Sequence, residues 1–296
     1  MSKKINKYKG YTGPADVAGV GKYFGLARPF DLKNHTNRVV ALITVLAFCA
    51  ESAWMVYQGV PTMDACMAGL GVGLSVLFSY VLGMELDPDR KLGGLIGGVL
   101  AIFWAFWQGE PNFMVMLLLI FVQRMLNRTS GDIHKILDNL LLLVCAWWLG
   151  QSDGWLYPMM LGAAYILESQ LPKGCYYSLY LAAMALGCLW FSTGITHEPA
   201  LITMPYMVVM GLTLILFLPM LRMSVLVEAR GDRDARRLDG QRLRAANFFF
   251  LMSVLFISFF QGNAQAVSLA PAMFTAIGVG VYLVYDLGKR QRAKAK

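Results

Sequence analysis

The chain is 296 residues long, 57% hydrophobic, 12% aromatic and only 15% charged, with a formal net charge of +8 and a mean hydropathy of +0.53. So apolar a composition excludes an ordinary water-soluble domain and makes lipid the expected solvent. Nucleic acid is not expected as a partner, because the 26 Lys and Arg residues are spaced along the chain as a membrane topology would space them.

Residues 1–38 read as a cytoplasmic tail. Within it GVGKYFGLARPF mixes Lys22 and Arg28 with Tyr23, Phe24, Leu26 and Phe30, the composition of a short interfacial segment or of a flexible tail. A cleavable signal peptide is not expected, since much polar chain precedes the first apolar run and that run contains Glu51.

A helix needs roughly 20 apolar residues to cross about 30 Å of hydrocarbon. Ten runs approach that length: Val39 to Tyr57, Thr62 to Met84, Leu92 to Trp107, Pro111 to Leu126, Ile133 to Gly150, Trp155 to Leu171, Cys175 to Thr193, Leu201 to Met220, Ala246 to Gln261 and Val267 to Tyr285. If they alternate in direction, every Lys and Arg falls on one side: the tail, Arg90 and Lys91, Arg124, Arg128 and Lys135, Lys173, the loop 222–245, and the basic tail 288–296. The opposite connections, QGVPT, QGEPN, QSDG, TGITHEPA and QGNAQA, carry none. Basic residues in short loops stay cytoplasmic during insertion. Trp54, Trp104, Trp107, Trp147, Trp148, Trp155 and Trp190 all fall toward the other, outer ends, as interfacial indoles do. The expected fold is an all-α integral membrane protein with ten transmembrane helices spanning residues 39–287 and both termini cytoplasmic. The expected location is a bacterial inner membrane.

The glycine motifs GLGVGL at 69–74 and GGLIGG at 93–98 predict close approach of the second and third spans. Pro158, Pro205, Pro219 and Pro271 are candidate kinks.

Glu51 lies about twelve residues, or roughly 18 Å, into the first span. A carboxylate at that depth must be protonated or face a polar cavity, which suits proton coupling in a carrier or a hydrogen-bonded structural acid. GMELDPDRK places Glu85, Asp87 and Asp89 around Pro88, either as oxygen ligands for a divalent cation or as an ordinary turn. RTSGDIHKILDN predicts a helix beginning at Ile133, capped by Ser130 or Asp132, with His134 and Asp138 one turn apart on one face. A His–Asp pair of that kind can serve acid/base chemistry. HEPAL resembles half of a zinc-protease signature, but Leu201 stands at the second histidine position, which excludes it. Glu168 and Asp286 end spans beside Lys173, Lys289 and Arg290, their expected partners.

VEARGDRDARRLDGQRLR, residues 227–244, combines six arginines with Glu228, Asp232, Asp234 and Asp239, and so lacks the uncompensated positive face of a nucleic-acid arm. Arg90, Arg128, Arg233, Arg236 and Arg237 are the candidates for anionic lipid headgroups or a phosphate. Cys49, Cys66, Cys145, Cys175 and Cys188 form no CxxC pair and read as small core residues. No cofactor motif is legible, and no protein partner is specified.

Three classes of function remain open. A secondary transporter of a small or lipid-linked solute, proton-coupled through Glu51, requires a polar cavity at that residue. An integral membrane enzyme acting on a lipid-linked or phosphorylated substrate requires the cytoplasmic clusters, including Asp132, His134 and Asp138, to converge. A noncatalytic subunit of an envelope assembly requires a docking face.

Overall fold

The computed structural model describes residues 23–27, 30–108, 111–193, 201–232 and 236–294. Ten α-helices occur among them: α1 (His35–Tyr57), α2 (Thr62–Leu86), α3 (Leu92–Gln108), α4 (Phe113–Asn127), α5 (Ile136–Ser152), α6 (Leu156–Gln170), α7 (Ser178–Gly187), α8 (Met204–Met223), α9 (Gly240–Gln261) and α10 (Asn263–Lys294). Each coincides with one apolar run. α7 continues into a 3-10 turn, Cys188–Phe191. Five helices, α1, α2, α8, α9 and α10, are long and apolar enough to cross a membrane, whereas α3, α4, α5 and α7 are apolar but shorter. At 1.5 Å per residue the 15 residues of α4 rise only about 22 Å.

Local chemistry sets the boundaries. Asn34 caps α1 by accepting from the Thr36 amide at 3.0 Å, and Asn112 caps α4 by accepting from Met114 at 3.0 Å. Asp239 caps α9 through the Gln241 and Arg242 amides. Gly262, at φ 78°, breaks the chain between α9 and α10, a conformation that costs an L side chain dearly. The start of α5 differs from expectation. The helix begins at Ile136, not Ile133, because the capping acid is Asp138, whose Oδ2 accepts from the Lys135 amide at 2.8 Å, rather than Ser130 or Asp132. The candidate kinks also divide: Pro205 stands in the first turn of α8, while Pro219 and Pro271 lie inside α8 and α10.

The second and third spans approach closely, as the glycine motifs predict, but through GGLIGG, whereas GLGVGL packs against α1. Gly69 and Gly73 face α1, where added Cβ atoms would meet Ser52, the Phe48 carbonyl and the Thr44 carbonyl. α3 carries two adjacent stripes of i, i+4 glycines. Gly94 and Gly98 meet Gly83 and Val76 of α2, while Gly93 and Gly97 meet Val279 and Thr275 of α10. Removal of the side chain lets three helix backbones approach one another, the membrane form of small-residue packing.

The continuous core runs through α2–α10, with Tyr157, Tyr165, Phe217 and Phe250 fully buried. α1 lies outside it, packed on α2, and buries only Val40, Ala47 and Glu51. The outer surface is apolar: Leu42, Phe103, Val144 and Ile215 are all exposed. In water such a surface would aggregate; against lipid chains it is the favourable one.

Most polar contacts between elements sort into two sets, Ser79 of α2 to the Pro271 carbonyl of α10 being an interior exception. At one end Asn112 and Gln265 bond Asp153, Tyr157 donates to Gln265 at 2.6 Å, and Tyr206 donates to Gln108 at 3.0 Å. The other end, which carries the described Lys and Arg residues, holds the site.

A candidate functional site at the basic helix ends

The basic end is organised by two buried Glu–Arg clusters. Glu85, in the last turn of α2, accepts from Arg124 Nε at 2.9 Å and from the Thr129 hydroxyl, while Asn127 donates to the Glu85 carbonyl at 3.0 Å. Glu168, in the last turn of α6, is fully buried and holds two guanidiniums, Arg128 at 2.6 Å on Oε1 and Arg242 on Oε2. Arg242 further donates to the carbonyls of Leu126 at 2.9 Å and Pro172 at 2.7 Å, so the start of α9 locks together the ends of α4 and α6. The expected Lys173 partnership of Glu168 is replaced by these arginines. Lys173 instead offers its carbonyl to Arg128 at 2.7 Å from a left-handed backbone, φ 61°.

His134, in the connection 128–135, is buried beside this cluster. Its ring bonds Asn139, not Asp138: Nδ1 lies 2.8 Å from Asn139 Oδ1, which also accepts from Tyr165 at 3.0 Å. An amide oxygen only accepts, so Nδ1 carries the proton and Nε2 keeps its lone pair. Ser178 Oγ lies 3.2 Å from Nε2, and Tyr177 donates to the His134 carbonyl at 2.8 Å. Burial is the leading cause that pushes the imidazole below its ordinary pKa, against the opposing pull of Glu168, and keeps it neutral. Donor atoms of His134, Glu168 and Cys175 lie within 4.8 Å of one another. Arg128 Nη2 contacts Cys175 Sγ at 3.6 Å.

Asp138 has a different task. Fully buried, it accepts from the amides of Gly25 at 2.6 Å, Leu26 at 3.2 Å and Lys135 at 2.8 Å. Arg124 adds a bond to the Leu26 carbonyl at 3.2 Å. The described stretch of the tail is thereby pinned into the helix ends, with Leu26 in the core. Asp132 pairs with Lys135 at 3.0 Å near the surface.

The carboxylates of GMELDPDRK go to three different partners. Glu85 serves Arg124, Asp87 takes Arg90 Nε at 2.8 Å, and exposed Asp89 accepts from the Glu228 and Ala229 amides at 3.1 and 2.7 Å. Among the described residues they form no common ligand set, because Arg and backbone donors reach each acid separately. Burial raises Asp87 from the ordinary value of 3.8 to about 6 even though Arg90 opposes the shift. Arg90 also approaches Asp286 at 3.7 Å, and Asp286 takes Arg290 at 2.9 Å, as its sequence neighbours suggest.

Of the arginine candidates, Arg90 and Arg128 are committed to Asp87 and Glu168. Arg230 and Arg237 face each other in a small antiparallel bridge, with Arg237 Nε donating to the Val227 carbonyl at 2.7 Å. The loop therefore folds back as a short hairpin over a cluster of Val227, Leu238 and Leu243, held by Asp89. Arg236 and Arg237 are exposed on it. Arg233 lies outside the described residues, as do His197 and Glu198. Glu51 stands apart from all of these, buried on the stripe of α1 that faces α2.

The sequence placed Glu168 beside Lys173 and Cys175 among small core residues, and it gave Asn139 and Arg242 no part in a site. Glu168 and Asn139 carried a usable signal: polar side chains about a turn inside apolar runs cost several kcal/mol unless they find partners. Cys175 had none, since only the fold brings it to His134. Comparison with protein-family models, with curated proteins and with solved structures found no match.

Proposed function

We propose that the protein is an integral membrane enzyme of ten spans, both termini cytoplasmic, that acts at its basic end on a lipid-linked or phosphorylated substrate. A bacterial inner membrane is the setting that its basic-residue asymmetry suits. One observation carries the reading: a neutral, tautomer-defined imidazole, His134, meets a thiol, a carboxylate and two guanidiniums where α4, α5, α6, α7 and α9 end together. Such a group is equipped to take and return a proton while fixed positive charge steadies an anionic group beside it. A carrier reading draws its support from Glu51, which sits in the seam of a peripheral helix and away from this convergence.

The test is reconstitution into phosphatidylethanolamine and phosphatidylglycerol vesicles supplemented with a total membrane lipid extract, followed by mass spectrometry of the lipids. Time-dependent conversion of a lipid species that disappears in His134→Gln, with Glu51→Gln retaining it, supports the enzyme. Unchanged lipids together with a proton flux that Glu51→Gln abolishes would overturn it in favour of transport.

A further inference from the structure

His134 stands among groups that suit two different chemistries, a metal centre and a nucleophile with its base. His134, Glu168 and Cys175 have the ligand types of a zinc centre. Two guanidiniums already occupy both oxygens of Glu168, and one of them also touches the sulfur. A dication at that point would face two positive charges, so electrostatics disfavours a metal and favours an anionic group.

A second ordering of the same groups is chemically complete. Asn139 Oδ1 accepts from Nδ1 and leaves the Nε2 lone pair facing Ser178, and a ring nitrogen lies within 4.8 Å of the Cys175 sulfur. Nucleophile, base and orienting amide are the parts that activated cysteines on unrelated folds require. Ser178 is fully buried, which closes it to substrate, and its hydroxyl holds the imidazole. Cys175 is half-buried and reachable. It is followed directly by exposed Tyr176, and the first turn of α7 exposes Leu179 and Tyr180, an apolar flank against which an acyl chain can lie. Arg128 supplies a counter-charge to the attacking sulfur.

We infer that Cys175 is a nucleophile that accepts a long-chain acyl group from an ester or thioester donor in the cytoplasmic leaflet, with His134 as its base and Asn139 as the residue that positions the imidazole. The inference deepens the enzyme reading above and rests on it. In the first half-reaction the Ser178 hydroxyl turns off Nε2, which takes the thiol proton, and the sulfur attacks the acyl carbonyl carbon. A carbon–sulfur bond forms, the carbon–oxygen or carbon–sulfur bond to the donor breaks, and the leaving group takes the proton from the imidazolium. In the second half an alcohol or amine acceptor gives its proton to Nε2 and attacks the enzyme thioester, releasing the thiol. No oxidant or reductant is consumed.

The experiment uses the full chain in phosphatidylethanolamine and phosphatidylglycerol vesicles. One arm offers alkyne-tagged palmitoyl-coenzyme A, the other phosphatidylglycerol with an alkyne-tagged acyl chain, and the modified peptide is mapped by mass spectrometry. The expected result is a hydroxylamine-labile tag on Cys175, absent in Cys175→Ala and converted to a hydroxylamine-resistant ester in Cys175→Ser. His134→Gln should slow tagging by about 100-fold. Asn139→Ala should slow it and alter its pH profile, because either ring nitrogen can then carry the proton; a merely structural amide would leave that profile alone. The arm that labels identifies the donor. No tag on Cys175 from either donor, or tagging unaffected by His134→Gln, overturns the proposal. Lipid conversion that survives Cys175→Ala but not His134→Gln would remove the thiol's role and leave the enzyme reading standing.

Discussion

Glu168 shows how one residue can tie a helical bundle together. Its carboxylate is fully buried, and it neutralises one of two guanidiniums whose other donors reach the backbone carbonyls of Met125, Leu126, Pro172 and Lys173. Removing one member of such a cluster leaves a buried charge short of partners, which typically costs about 3–5 kcal/mol. Arg242→Met should therefore lower the thermal unfolding midpoint in detergent sharply, whereas exposed Arg237→Met should leave it nearly unchanged. Two groups at the basic end predict a pH dependence. His134 has a lowered pKa in the folded protein, so its contribution to stability is present above its unfolded value of 6.5 and is lost as the pH falls through the folded pKa. Asp87 has a raised one, about 6 against 3.8. Its contribution is complete below 3.8 and is lost as the pH rises through about 6. Unfolding midpoints measured from pH 4 to 8 should accordingly show His134→Gln less sensitive to acid than wild type, and Asp87→Asn without the loss between about pH 4 and 6.

At the scale of the helix, glycine placement decides which elements touch. α3 uses Gly94 and Gly98 toward α2 and Gly93 and Gly97 toward α10, two stripes about 100° apart on one helix. A Cβ on Gly97 would come within 2.4 Å of the Thr275 Cα, a backbone atom that cannot yield without moving α10. Gly211 of α8 meets nothing within 4 Å. Gly97→Ala should thus destabilise the folded protein, while Gly211→Ala should leave it unchanged or raise stability by up to about 1 kcal/mol through helix propensity. Thermal midpoints of the two variants in one detergent check the pair, and equal shifts would contradict the close approach of α3 and α10.

For the molecule as a whole, the sorting of polar contacts into two ends makes a prediction about sidedness. Single cysteines placed at Arg90 and Arg236 in a chain freed of its native cysteines should react with an impermeant maleimide from the same face of a sealed vesicle. One placed at exposed Gln58 should react from the opposite face. Labelling of Arg90→Cys and Arg236→Cys from different faces would break the alternation on which the proposed ten spans depend. The short helices fit the same picture. α4 is almost wholly buried among longer neighbours, so its brief length is shielded by protein rather than matched to lipid.

The ten apolar runs and their helices were legible from composition alone, because a helix in hydrocarbon must satisfy its backbone within itself and cover itself with apolar side chains. That requirement is local and leaves a mark in every stretch of about 20 residues. The asymmetry of Lys and Arg was equally local. Partnership was not: Glu168 stands near Lys173 in sequence but binds Arg128 and Arg242, 40 and 74 residues away. His134 stands four residues from Asp138 yet bonds Asn139, since Asp138 is held by the amides of Gly25 and Leu26. Which polar groups meet depends on how the helices are arranged around one another. In this chain that arrangement follows from glycine seams and buried charges acting between distant segments, and only the tertiary structure brings those together.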